Sequence, residues 1–219
     1  MAKASEHGDI IAAAAKAALA PLGCFRRGHS RTWQDDHRYW AVEVEFQPSG
    51  WSKGSYLNIH VAWLWAVTLG YQFSYRAGSF VPFENAEQFT PLIAKLAATA
   101  AVEVQNVRER FSSFTKIHDH IIMEDHRAAW PGYNAGVACG LAGNIAAAVQ
   151  YFDRVAAWDP SGRPWALTVK ENATTLVTLL DRPPDFRKAV VVNIAQRRQL
   201  MRLPPDAHCL DELDSIARP

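Results

Sequence analysis

The chain has 219 residues, is 49% hydrophobic and 21% charged, and carries a formal net charge of +1. That is ordinary globular usage with enough apolar residues for a core, and it argues against a dedicated nucleic-acid protein, which shows a basic excess, while leaving room for a local basic patch. Cys24, Cys139 and Cys209 are odd in number, far apart and without a CxxC pair, which excludes a disulfide framework or a zinc knuckle and implies reduced thiols in a cytoplasmic protein.

Residues 10–21 are Ala-rich, with Ile10, Ile11, Ala14, Ala15, Ala18 and Leu19 at helical spacing and Lys16 interrupting the run. This spacing predicts an amphipathic helix rather than an export signal. No apolar run reaches the ~18 residues of a membrane span, so no membrane partner is expected.

Segments 31–35, 39–46, 55–65 and 71–76 are rich in aromatic and β-branched residues and predict four strands. Asp35-Asp36-His37, the loop 47–54 and Gly70 separate them. Connections this short imply antiparallel neighbours in a meander. The pattern turns helical after Glu84. A long helix is expected over 85–114 and a second over 115–126. Trp130-Pro131-Gly132 reads as a break, and further helices are split by Gly143, by 159–162 and by Pro183-Pro184. The composition shift near residue 83 divides an α+β sheet domain, 1–83, from a helical domain, 84–219.

The second and third strands alternate strictly. A hairpin centred on Ser49 and Gly50 sets Val44 against Leu57, Val42 against Ile59 and Trp40 against Val61. It also sets Glu45 against Tyr56, Glu43 against Asn58 and Ala41 against His60. The apolar pairs then share one face and the polar pairs the other. Trp33 joins the apolar face; Thr32, Gln34, Gln72, Ser74 and Arg76 join the polar one. Glu43, Glu45, Tyr56, Asn58, His60 and Arg76 are the candidate ligand-binding groups there, because converging carboxylates and a histidine can perform acid–base work once burial shifts their pKa values. The competing reading is a solvated sheet face, or one packed through salt bridges.

Two loops add cations and an aromatic. Residues 24–31 carry Arg26, Arg27, His29 and Arg31, and the hairpin loop carries Ser49, Trp51, Ser52 and Lys53. Arg26, Arg27 and Trp51 are candidates for an anion or nucleotide contact, although no GxxxxGK[ST] or GxGxxG motif is present. A nucleic-acid contact through Arg26, Arg27, Arg31 and Lys53 is the least favoured partner reading. Lys116 to His126 contains His118, Asp119, His120, Glu124, Asp125 and His126. His120 and Glu124 share a helix face, but the donors as a set point around the helix, short of the three or four converging donors a metal needs. Neither a metal nor another cofactor is expected.

Within 131–160, Gly136, Gly143, Ala148, Phe152 and Pro160 stand where a tetratricopeptide-like helical hairpin wants small residues, a turn, an aromatic and a terminating proline. Gly132 and Ala135 replace the usual large residues early in the first helix, and no second copy follows. The segments Leu22-Gly23 with Arg26-Arg27-Gly28, Arg31-Thr32-Trp33, Glu45-Phe46-Gln47-Pro48-Ser49 and Gly54-Ser55-Tyr56-Leu57-Asn58 resemble an uncharacterised bacterial family, a domain of unknown function, over about residues 20–85. The resemblance implies a bacterial source and brings no established activity.

The expected fold is therefore α+β: an N-terminal helix on an antiparallel meander of about four strands, then an α-helical half. The expected function is a non-enzymatic module that binds a protein or peptide. The alternative is a small-ligand binder or enzyme working at the polar face of the sheet.

Overall fold

The structure, a computed structural model, describes residues 6–68, 70–71, 73–124, 128–211 and 213. Gln72, Asp125 and His126, singled out above, lie outside the described residues. The chain divides into two compact units: Met1–His37, Ala41–Ala62 and Tyr71–Glu109 form the first, and Arg38–Trp40, Trp63–Gly70 and Arg110–Pro219 the second.

The first unit begins with α1 (Glu6–Leu19), whose buried side chains Ile11, Ala15 and Leu19 recur at helical spacing. A single 3-10 turn, Ala20–Leu22, ends it, and Gly23 takes the left-handed conformation (φ +82°) that a glycine adopts without strain. Six strands follow: β1 (Phe25–Arg26), β2 (Thr32–His37), β3 (Trp40–Gln47), β4 (Gly54–Trp63), β5 (Phe73–Arg76) and β6 (Val81–Pro82). The sheet order is β1-β2-β3-β4-β5, the meander that the short connections imply, with β6 added to β4. Two of these strands, β1 and β6, are two residues long and leave no periodicity to read. β6 needs Gly54: at φ +146° a Cβ there would stand 2.3 Å from the Val81 carbonyl oxygen.

Trp33, Val42, Val44, Leu57, Ile59 and Val61 are all buried on one side of the sheet. Helix α2 (Ala86–Arg110) supplies Phe89, Ile93, Leu96, Ala100, Val104 and Val107 to the same unit's core. Asn85 caps it by accepting from the Gln88 N–H at 2.9 Å. A fork of two 2.8 Å bonds from Arg108 to Asp35 fastens α2 to β2. That contact explains a difference from the sequence reading: Asp35-Asp36-His37 is strand, not turn. His37 and Arg108 share the Asp35 carboxylate, and the reversal comes at Arg38, which has φ +68°.

The second unit contains α3 (Phe114–Ile122), α4 (Ala129–Leu141), α5 (Ile145–Ala157), α6 (Pro164–Val177) and α7 (Pro183–Met201). The helix expected to reach residue 114 stops at Arg110, because Ser113 accepts from the Lys116 N–H and starts α3. Trp130-Pro131-Gly132 is not a break. It lies in the first turn of α4, where a proline forfeits no intrahelical bond. For the same reason Pro183 opens α7. Helices α4 and α5 pack closely at Gly136: a Cβ at that position would lie 2.6 Å from the Phe152 ring. A buried polar chain ties α4, α6 and α7 together. Tyr133 donates to Asn172 at 2.7 Å, and Asn193 donates to Asn172 at 3.0 Å and to the Tyr133 oxygen at 3.2 Å.

Candidate functional site

β-strand alternation places one row of polar side chains along the sheet of the first unit. Pairing of β4 with β5 sets Asn58 opposite Arg76 and His60 opposite Ser74; pairing of β1 with β2 sets Phe25 opposite Gln34. Across β3 and β4 the polar contacts fall two residues from the expected pairing. Asn58 donates to Glu45 at 3.0 Å and to Gln47 at 2.9 Å rather than meeting Glu43, and the Trp40 and Trp63 rings lie 6.5 Å apart. A two-residue displacement leaves every side chain on its face, so the row itself is as the alternation predicts.

Glu43 and its neighbour Gln34 are the most buried members, each 1% exposed. The Glu43 carboxylate accepts from Gln34 Nε2 at 2.7 Å, from the Tyr71 hydroxyl and from Arg27 Nη1 at 3.5 Å. Burial raises the Tyr71 phenol well above its ordinary pKa, and the neighbouring Glu43 charge adds to the rise. Three donors fill most of what a carboxylate can accept, which leaves Glu43 little capacity for a substrate.

Next along the row, the His60 ring stacks on Tyr71 with centroids 4.1 Å apart. Its Nδ1 lies 2.7 Å from Ser74 Oγ and its Nε2 3.6 Å from Glu45 Oε2. The contacts from His60 and Asn58 hold Glu45 below the usual carboxylate range, although burial opposes them. Hydroxyl, imidazole and carboxylate therefore stand in sequence, the order in which a base activates a nucleophile. Ser74, the exposed end of that chain, comes from a four-residue strand, and the sequence signal for it was only its register beside Arg76. At the far end Arg76 reaches Asn58 and Gln47 at 3.3 and 3.1 Å. Its guanidinium lies 3.8 Å from the centroid of Tyr56, which in turn contacts Phe80.

Two of the loop cations are committed elsewhere. Arg26 donates to the Ser30 and His29 carbonyls of its own turn, and Arg27 to Glu43. Trp51 is 99% exposed on the hairpin loop, and neither Arg26 nor Arg27 lines the cavity beside it. The groups beside that loop are instead His7 and Lys53. His7 lines a cavity of about 300 Å³ with residues 48–54. It accepts a bond from Arg31 Nη2 at 3.1 Å, and burial, then Arg31, then Lys53 lower its pKa. Nothing in the alternation of the strands pointed to His7, which sits in the first turn of α1.

Among its described residues, the histidine-rich segment brings no three ligands together. His118 pairs with Asp119, while His120 contacts Glu124 at 3.5 Å and packs near the Phe111 and Trp63 rings.

A separate concavity belongs to the second unit. Arg202 ends α7 in the left-handed conformation (φ +59°), and the chain then doubles back. Arg198, 3% exposed, pins the returning segment by donating to the Pro204 carbonyl at 2.7 Å and to the Arg38 carbonyl at 2.7 Å. Asp206 closes the arrangement with Arg38 at 3.1 Å. Between α7 and residues 203–207 lies a groove of about 560 Å³, with Val191, Val192, Ala195, Leu203 and Pro205 as its apolar lining. Val192 is 49% exposed.

Comparison with family models, with curated proteins and with solved structures gave no match to this chain. Among the described residues, no helix is long and apolar enough to cross a membrane.

Proposed function

We propose that this is a non-enzymatic binding protein whose partner is a peptide or a segment of another protein, received in the groove beside α7. The observation that supports this is the groove itself. It is of side-chain scale, mostly apolar, and walled by a segment that Arg198 and Arg38 hold in place. An apolar face kept open by buried charge-assisted bonds suits the insertion of apolar side chains from an amphipathic segment. A random-sequence peptide library selected on the protein should enrich apolar anchors at helical spacing, and Val192→Glu should weaken the selected peptides by about tenfold, the effect of ~1.4 kcal/mol. No sequence preference among survivors, or full affinity in V192E, would count against the groove.

The alternative, an enzyme or small-ligand binder at the polar sheet face, draws its support from the Ser74–His60–Glu45 chain. The three donors already on Glu43 weigh against using that residue. This reading predicts that Ser74 becomes acylated by an activated ester and that His60→Ala abolishes the labelling. An unlabelled Ser74 removes it.

A further inference from the structure

We infer that the hairpin loop of the first unit is a binding site for a phosphorylated aromatic small molecule, a mononucleotide in its chemistry. The anion subsite is formed by Arg31, His7 and Lys53, and Trp51 is the platform for the ring. This site is independent of the groove beside α7.

Three observations meet here. First, Arg31 holds a guanidinium in a partly buried position, where desolvation lowers its pKa. Its Nη2 is used on His7, yet Nη1 is buried with no hydrogen-bond partner among the described residues. A buried, unsatisfied guanidinium nitrogen is costly. An oxyanion in front of it would remove the cost, since a guanidinium presents donors in the geometry that phosphate and carboxylate oxygens accept.

Second, the electrostatics have one sign. His7 lines the cavity with residues 48–54, and neither Asp nor Glu occurs among those lining residues. Arg31 and Lys53 both act on His7 as positive neighbours. His7 already accepts from Arg31, so its neutral ring passes the arginine no negative charge. The uncompensated charge therefore lies behind His7, which joins Arg31 to the cavity wall.

Third, the loop is arranged rather than slack, and it presents an aromatic. Ser49 Oγ accepts from the Trp51 N–H at 3.1 Å, the Phe83 N–H donates to the Lys53 carbonyl at 3.0 Å, and the His7 and Phe83 rings are 5.4 Å apart. Trp51 itself is 99% exposed. An indole left fully in water beside a cationic cavity has a large unused stacking surface, and base–aromatic stacking is tolerant of which ring it meets. About 300 Å³ admits a phosphate and part of a sugar, with the base lying outward on Trp51.

The test is a titration of the protein with AMP, inorganic phosphate and adenosine, followed by calorimetry and by Trp fluorescence at low and at physiological ionic strength. AMP should bind more tightly than phosphate or adenosine alone, and more weakly as salt rises. Arg31→Gln should lower AMP affinity by about tenfold or more, the loss expected for a hydrogen bond to a charged group. Trp51→Ala should lower AMP affinity by about fivefold or more while leaving phosphate binding unchanged. Lys53→Gln alters an exposed side chain and keeps the test decisive if R31Q does not fold. AMP affinity unchanged in K53Q, adenosine binding as tightly as AMP, or no AMP binding at millimolar concentration would each overturn the proposal.

Discussion

Asp35 is the acid whose environment most clearly couples charge to stability in the first unit. Burial alone would raise its pKa, but the fork from Arg108 and the contact with His37 outweigh burial and bring it down from 3.8 to about 2. A carboxylate depressed in the folded state stabilises above its unfolded pKa. Its contribution, about 2 kcal/mol, is complete at neutral pH and is lost as pH falls from about 4 toward 2. Asp35→Asn should cost about that amount in urea unfolding at pH 7 and flatten the acid limb of stability against pH; a variant with the same acid limb as the parent would contradict the assignment. Glu43 is the second test at this scale. Glu43→Ala removes the shared acceptor of the Gln34 amide, the Tyr71 hydroxyl and the Arg27 guanidinium, and should cost about 2–3 kcal/mol, whereas Tyr71→Phe removes one bond and should cost about 1 kcal/mol. Equal effects in chemical denaturation would show that Glu43 is not the hub of that row.

At the scale of elements, the tightest constraint is the α4–α5 contact. Gly136→Ala drives a methyl into the Phe152 ring and should destabilise by about 1–3 kcal/mol. Phe152→Leu in the same chain should recover part of that loss, because the two residues share one space. Gly136 and Phe152 could be paired from the sequence, since a small residue facing an aromatic is a local signal. The meander was legible for a related reason: in β3 and β4 alternation alone assigns each side chain to a face. The exact pairing of those strands was not, because a shift of two residues preserves both faces and only side-chain contacts such as Asn58–Glu45 reveal it. Prolines misled where their position in a helix mattered more than their presence, as at Pro131. Arg197 and Arg198 were invisible for a different reason. Two adjacent arginines in a polar stretch of α7 carry no local signal of burial, yet both are buried and donate to backbone carbonyls 6 to 160 residues away. Long-range carbonyl acceptors leave no trace in local pattern, and for that reason the groove beside α7 was not foreseen. His7 and Arg31 meet across 24 residues and were missed as a pair on the same grounds.

Over the whole molecule, Cys24, Cys139 and Cys209 are free and buried. Burial pushes all three thiols up, Cys24 to about 11 with Asp35 adding to the rise. The reactive thiolate is therefore scarce and shielded in the native state. A thiol reagent should label none of these cysteines in the folded protein and all of them in urea; rapid native labelling of one would show a local opening there. A near-neutral net charge of +1 gives the molecule little long-range steering, so partners are selected by local surfaces. The most direct measurement of which surface binds a protein segment is hydrogen exchange of the full chain with and without a library-selected peptide. Protection concentrated in α7 and residues 203–207, and lost in V192E, is the predicted result. Protection confined to other elements, or none at saturating peptide, would contradict it.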